Sequence, residues 1–175
     1  ALTHAREVGG TNLRSLTFAE RGAILKQLSR VVVEARDELL ELSRQNYGAT
    51  RRDGKFDVDG ASGTLSYYAY LGKKLGDRTF LLDGEAENVL NSKRFSGQHM
   101  LFPRRGVAVH INAFNFPCWG MAEKLATSIL AGMPVFSKPA TATSPVATRL
   151  AELWVESGAF PAGTFSFLAG SVGDL

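Results

Sequence analysis

The chain predicts an α/β fold: a block of N-terminal helices, a β-hairpin excursion, and half of a doubly wound parallel sheet of the Rossmann-like kind. Three observations carry that expectation. Apolar residues recur at helical spacing from Thr17 to about Lys74, short β-prone stretches interrupted by polar residues follow, and from Gly106 strand-like and helix-like segments alternate. The 175 residues are 45% hydrophobic and 21% charged, enough apolar material for one sizeable core and unlike a disordered composition.

Residues 1–78 read as the helical part of the molecule. Thr17, Phe18, Ala19 and Glu20 form a capping-box signature, because the Thr hydroxyl can accept from the amide three residues on while Glu20 reaches back. Ile24, Leu25, Leu28, Val31, Val32, Ala35, Leu39 and Leu42 then mark one long helix or two consecutive ones, ending near Gly48. Val58, Ala61, Leu65, Tyr68 and Leu71 mark another over roughly 57–74, in which Gly60 and Gly63 lower helix propensity but permit close packing. Residues 79–105 change character. The segments 80–82 and 99–102 are β-prone and Ser96-Gly97-Gln98 supplies turn chemistry, so a hairpin is expected there.

Residues 106–175 read as βαβαβ. A strand over 107–111 leads to a helix over 118–131 stopped by Gly132, and a strand over 134–137 follows. Ser144 as N-cap with Pro145 at the first helical position starts the next helix, Gly158 stops it, and 164–168 is the third strand. The crossovers should be right-handed. No Gly-x-Gly-x-x-Gly follows the first strand; Gly170-Ser171-Val172-Gly173 is the nearest match and is weak alone. The chain opens without Met in a polar segment and closes where a strand hands over to a helix, so it reads as a fragment.

Composition narrows the function classes. The formal charge of +3 is mild and the basic residues are scattered, so Arg51-Arg52 and Arg104-Arg105 read as solvated loops rather than a nucleic-acid surface; anionic small molecules stay compatible. One Cys forbids an internal disulfide, three scattered His give no zinc spacing and no metal site, and a reducing cytoplasm fits. No apolar run approaches ~20 residues and the first residues lack a signal-peptide core, so no membrane span is expected.

Ligands of open α/β sheets sit outside the C-terminal strand ends, and two segments lie there: Gly106 to Pro117, presenting Asn115, and Lys138 to Thr143. Asn115 is a candidate oxyanion donor, since a side-chain amide on a Pro-stiffened turn can stabilise developing negative charge; by spacing alone it is equally a helix cap. Lys138 can bond ribose hydroxyls or a phosphate, or be a solvated loop lysine. Cys118 sits in the first turn of a helix, where a thiol pKa can fall, yet a lone Cys there is more often a packed hydrophobe. His110 reads as a core residue of its strand.

The segments Ala113 to Gly120 and Lys138 to Thr143, with Gly48 to Arg51 and Asp57 to Ala61, resemble the aldehyde dehydrogenase superfamily from Leu16 to Leu175. Within it they are similar to the semialdehyde dehydrogenases of aerobic aromatic-CoA degradation, in the phenylacetate and benzoyl-CoA pathways. That family also lacks the glycine fingerprint. The resemblance implies NAD(P)-dependent oxidation of an aldehyde, CoA-linked in this branch, with Asn115 stabilising the oxyanion of a covalent thiohemiacetal and Lys124 helping proton release. It implies a cofactor held by Ile111, Asn112, Ala113 and Phe114 after the first strand, Lys138, Ala140 and Thr141 after the second, and Gly170 and Gly173 after the third. NAD-preferring members carry Glu where Thr141 stands, and a Thr does not repel a 2′-phosphate, so NADP is expected with NAD still usable. Ala113-Phe114 departs from the Pro-Trp common before the Asn. The resemblance further implies homo-oligomers through the hairpin, and a nucleophilic Cys and general-base Glu in later segments that this chain lacks. A surface excursion without interfacial role is the other reading of the hairpin, and a nucleotide- or CoA-binding module without chemistry the other reading of the whole.

Overall fold

The computed structural model describes residues 1–90 and 92–171. Helices α1 (Leu2–His4) and α2 (Gly10–Ser15) run into each other through a π-helical turn, Ala5–Gly9. The opening segment is thus helical where only a polar stretch was expected, and it buries Ala5, Gly9, Gly10 and Leu13. Thr17 then caps α3 (Phe18–Glu34): its hydroxyl accepts from the Glu20 amide, and the Glu20 carboxylate accepts from the Thr17 amide at 2.7 Å. The helix breaks at Ala35, and α4 (Arg36–Tyr47) ends on Gly48 at φ 71°, a left-handed conformation that suits glycine. Helix α5 (Arg51–Leu75) begins six residues earlier than its apolar pattern predicts. Thr50 caps it by accepting from the Asp53 amide, and the polar first turns carry no apolar stripe to reveal them.

Helices α3 and α5 pack backbone to backbone. A Cβ on Gly72 would lie 2.6 Å from the Phe18 carbonyl oxygen and 2.8 Å from the Gly22 Cα, so the two helices approach as closely as they do only because both positions are glycine. Leu25, Leu28, Val32, Val58, Ala61 and Leu65 join the central core from these helices.

Strands β1 (Leu81–Leu90) and β2 (Ser92–Leu101) form the antiparallel hairpin, with Leu81 opposite Leu101 and Phe80 against Phe102 at its base. Leu90 pairs with Ser92, so the ribbon does not turn at Ser96-Gly97, which pair with Asn88 and Glu87 inside it. A two-stranded ribbon exposed on both faces has no alternating pattern to mark where it turns: Val89, Leu90 and Phe95 are each more than 60% exposed.

The second half alternates as expected: β3 (Ala108–Ile111), α6 (Trp119–Leu130), β4 (Val135–Lys138), a 3₁₀ turn (Thr141–Thr143), α7 (Ser144–Glu156) and β5 (Phe165–Phe167). The strands are parallel in the order β3-β4-β5. His110 on β3 touches Ser128 of α6, and Phe165 on β5 touches Trp154 of α7. The register puts both contacts on one sheet face, as two successive right-handed crossovers in one direction require. Val109 and Ile111 on the opposite face are 57% and 76% exposed. Ser144 is the first residue of α7, not its cap. The cap position is Thr143, and the Ser144 hydroxyl donates to the Thr141 carbonyl at 3.0 Å. No helix among the described residues is long and apolar enough to cross a membrane.

Candidate active site

The three parallel strands end in one row, and several of the residues singled out in the sequence lie along it. Ile111 pairs with Lys138, the Asn112 amide donates to the Lys138 carbonyl at 3.0 Å, and the Leu168 amide donates to the Ser137 carbonyl at 3.0 Å. Beyond the ends, the Thr141 hydroxyl lies 3.4 Å from the Gly170 carbonyl, bringing the second and third strand loops together. Ala140 is the residue before the 3₁₀ turn and sits in extended conformation. Gly173 lies outside the described residues.

The polar groups on this row are incompletely paired. Asn112 is buried; its amide nitrogen donates to the Ser137 hydroxyl at 2.9 Å while its carbonyl oxygen has no protein partner. Lys138 is half-buried, and among the described residues its ammonium reaches only its neighbour's carbonyl, Pro139, at 3.2 Å. A three-donor ammonium is left with hydrogen-bonding capacity.

Ala113, Phe114 and Asn115 follow as an exposed loop. Asn115 does not cap α6: the cap position is Cys118, whose side chain makes no capping bond. Asn115 instead lines a pocket of about 310 Å³ together with Phe116, Trp119 and Lys124. Lys124 is held within its own helix, donating to the Gly120 carbonyl at 3.0 Å and lying 3.6 Å from Glu123. Asn115 and Lys124, 9 positions apart in the chain, are thereby brought to one cavity.

The start of α6 is closed from another helix. Asp57 of α5 accepts from the Trp119 amide at 2.7 Å and from the Cys118 amide at 3.1 Å, taking the capping role that spacing alone left open for Asn115. Burial pushes the Asp57 carboxyl above the usual range, and the two amides pull against that rise. Cys118 is fully buried beside it. Burial and the neighbouring carboxylate raise the thiol well above its ordinary value, so this sulfur is a packed group rather than an available nucleophile.

Three aromatic rings brace the same turn. Phe56 meets Trp119 edge-on at 5.1 Å and Phe116 at 5.9 Å, Phe116 meets Trp119 at 5.8 Å, and the Trp119 indole donates to Thr64 at 2.8 Å. Gly60 makes room for this: a Cβ there would lie 2.6 Å from the indole. From the sequence Asp57 has a place in the resemblance but no role at the site, and Phe56 has neither. The available signal was an acid on the inward stripe of a helix, one turn before Ala61.

The whole chain, residues 1–175, matches the sequence profile described as the aldehyde dehydrogenase family. A 3,4-dehydroadipyl-CoA semialdehyde dehydrogenase of Aromatoleum evansii is 46% identical over all of this chain and 34% of its own length. An NADP-dependent succinate-semialdehyde dehydrogenase of Escherichia coli is 28% identical over 91% of this chain and 31% of its own. Among solved structures, an NADP-dependent enzyme of E. coli superposes with TM-score 0.78 at 26% identity, covering 97% of this chain and 33% of that one. HpcC of Thermus thermophilus has the same fold at TM-score 0.82 and 22% identity, with 96% and 30% covered. The chain spans about a third of the length of these relatives. The chain belongs to the aldehyde dehydrogenase family, whose enzymes oxidise aldehydes with NAD or NADP.

Proposed function

We propose that the full-length protein oxidises a CoA-linked semialdehyde to the carboxylic acid and that NADP is its preferred oxidant. The observation that carries this reading is Asn115. Its amide is exposed, shares a pocket with Lys124, and stands beside the row of strand ends that bears Lys138 and Thr141. The similarity to an enzyme named for a CoA semialdehyde supports the substrate class. When bound, the nicotinamide supplies the hydride acceptor.

Each residue has a task in this reading. The Asn115 amide donates to the oxygen that gains negative charge. Lys124 aids proton departure from the same pocket. The nucleotide fits the unpaired groups on the strand ends: Lys138 has donors for the ribose, the free Asn112 oxygen offers an acceptor, and Ile111, Ala113, Phe114, Ala140 and the carbonyl of Gly170 complete the lining. Gly173 is assigned to that lining by the resemblance alone. Because Cys118 is buried, the nucleophile and general base are assigned to the remaining two thirds of the protein. The functional division is 1–78 and 106–175 for the cofactor-binding part and 79–105 for oligomer contacts, whose exposed Val89, Leu90 and Phe95 suit an interface in the cytoplasm.

Turnover of a CoA-linked semialdehyde by the full-length protein, followed as NADPH and NADH formation, tests this reading. Thr141→Glu should move the kcat/KM preference from NADP toward NAD by about tenfold or more, because a carboxylate repels a 2′-phosphate and accepts from a 2′-hydroxyl. Lys138→Ala should weaken both. A cofactor ratio left unchanged by Thr141→Glu would remove Thr141 from the ribose, and absence of aldehyde oxidation would end the enzymatic reading.

A further inference from the structure

A concavity of about 980 Å³ lies over the first turns of α5 and is lined by Arg51, Arg52, Asp53, Lys55, Phe56 and Asp59, with Gly60. Its cations and its acids are in different states. Asp59 is held by a two-point bond to the Arg36 guanidinium at 2.6 and 2.9 Å, and Asp53 accepts from the Thr50 hydroxyl at 2.7 Å. Arg51 and Arg52 make no hydrogen bond or ion pair with any described residue, and Lys55 acts on Asp59 only through its charge, behind the bonded Arg36. Arg51 and Arg52 are exposed, and the Phe56 ring beside them is 58% exposed.

This concavity shares a wall with the candidate active site. Phe56 lines it and is in edge contact with Phe116 and Trp119, which line the Asn115 pocket. Gly60 belongs to the same wall, where the absence of a side chain lets the indole come against α5. One side of the aromatic cluster is therefore cationic and open, and the other carries Asn115 and Lys124.

We propose that Arg51, Arg52 and Lys55 form a subsite for the phosphate groups of a nucleotide handle on the substrate, with Phe56 offering a face for its base. This deepens the CoA-linked reading and rests on it. Guanidinium groups pair with phosphate through two parallel hydrogen bonds, and an exposed ring is a stacking surface for any base. The division of labour is chemical: the carbonyl end needs a neutral amide donor, whereas the handle needs fixed positive charge away from the reacting atoms. The cofactor's phosphates are assigned to the strand ends.

The test uses the full-length enzyme with the double substitution Arg51→Ala/Arg52→Ala. Both side chains are exposed, so no buried contact is lost. The measured quantity is the ratio of kcat/KM for the CoA-linked semialdehyde to kcat/KM for the same semialdehyde without CoA. That ratio should fall by on the order of tenfold or more, and inhibition by adenosine 3′,5′-bisphosphate should weaken in parallel. An unchanged ratio in the variant, beside a clear preference for the CoA-linked form in the wild type, overturns the subsite while leaving the substrate class standing. No such preference in the wild type overturns both. A rise in KM for NADP with the ratio unaltered would assign the cations to the cofactor and also overturn the proposal.

Discussion

Helix α6 is closed at both ends by a buried charged side chain from another helix, and the two ends differ in what they carry. At its start the Asp57 carboxylate accepts from the Cys118 and Trp119 amides. At its end Arg21, fully buried on α3, donates to the Leu130 carbonyl at 3.1 Å and to the Leu13 carbonyl at 3.0 Å, with its guanidinium 5.2 Å over the Phe18 ring. Each charge has the sign that the helix dipole favours. The start lies under an exposed loop bearing Asn115, whereas Gly132 follows the end at φ 79° and the chain simply turns back into β4. The same device thus serves packing alone at one end and supports a presented polar group at the other. An exposed amide can act as a fixed donor only when the turn beneath it has no freedom left.

The largest effect is expected at the presented group itself. Asn115→Ala in the full-length protein should lower kcat by about 10²-fold with little change in cofactor affinity, because the bond proposed for it forms chiefly to the developing oxyanion. Its thermal stability should stay close to wild type, since Asn115 caps nothing. Single-turnover hydride transfer and thermal unfolding on the same variant decide this. A destabilised Asn115→Ala enzyme with full activity would overturn the assignment.

The two caps come next, and they separate the ends of α6 directly. Arg21→Met should cost roughly 2–3 kcal/mol, because it leaves two carbonyls without their charged donor, and Asp57→Ala roughly 2 kcal/mol. Only Asp57→Ala should also reduce kcat and speed the reaction of Cys118 with a thiol reagent, since burial and the Asp57 carboxylate together hold the thiol's pKa high and the second of these is removed. Denaturant unfolding measures the first effect, and dithionitrobenzoate kinetics with turnover measure the second. Equal loss of kcat in the Arg21 variant would show that the two ends do not differ in the way described.

Much of this architecture was legible in the apolar residues: α3 through α7, apart from the start of α5, show them at helical spacing, and the parallel strands show them as short β-prone runs between those helices. The first fifteen residues do not. Their buried side includes Ala5, Gly9 and Gly10, with Leu13 the only large apolar residue, and Gly9 lies directly against the Gly163 backbone. A helix that packs by absence of side chain leaves no apolar stripe to read. The candidate site divides along the same line. Asn115, Lys138 and Thr141 follow strand ends, so their placement depends on order along the chain. The bond from Asp57 to Trp119 spans 62 positions and two helices, and neither residue signals the other.

Near the end of α6, at Ser128, a third contact yields the smallest effect, one that depends on pH. His110 of β3 is buried under the helix, its Nε2 3.0 Å from the Ser128 hydroxyl and its Nδ1 without a partner. Burial first, and the Lys124 charge second, hold its pKa below the ordinary value of 6.5. The unfolded chain therefore binds a proton here more readily than the folded one, so stability falls as pH drops through about 6.5 and levels off below the folded pKa. The slope is limited to about 1.4 kcal/mol per pH unit for one group. Glu20, Glu41 and Asp59, whose carboxyls are held low, lose their contributions only at more acid pH, and the raised carboxyl of Asp57 acts with the opposite sign. The difference between wild type and His110→Leu isolates the imidazole. Thermal midpoints at pH 7.5 and 5.5 should drop further for the wild type than for His110→Leu. Equal drops would mean that the contact of β3 with α6, unlike the contacts of Asp57 and Arg21, rests on no buried ionisable group that matters to the fold.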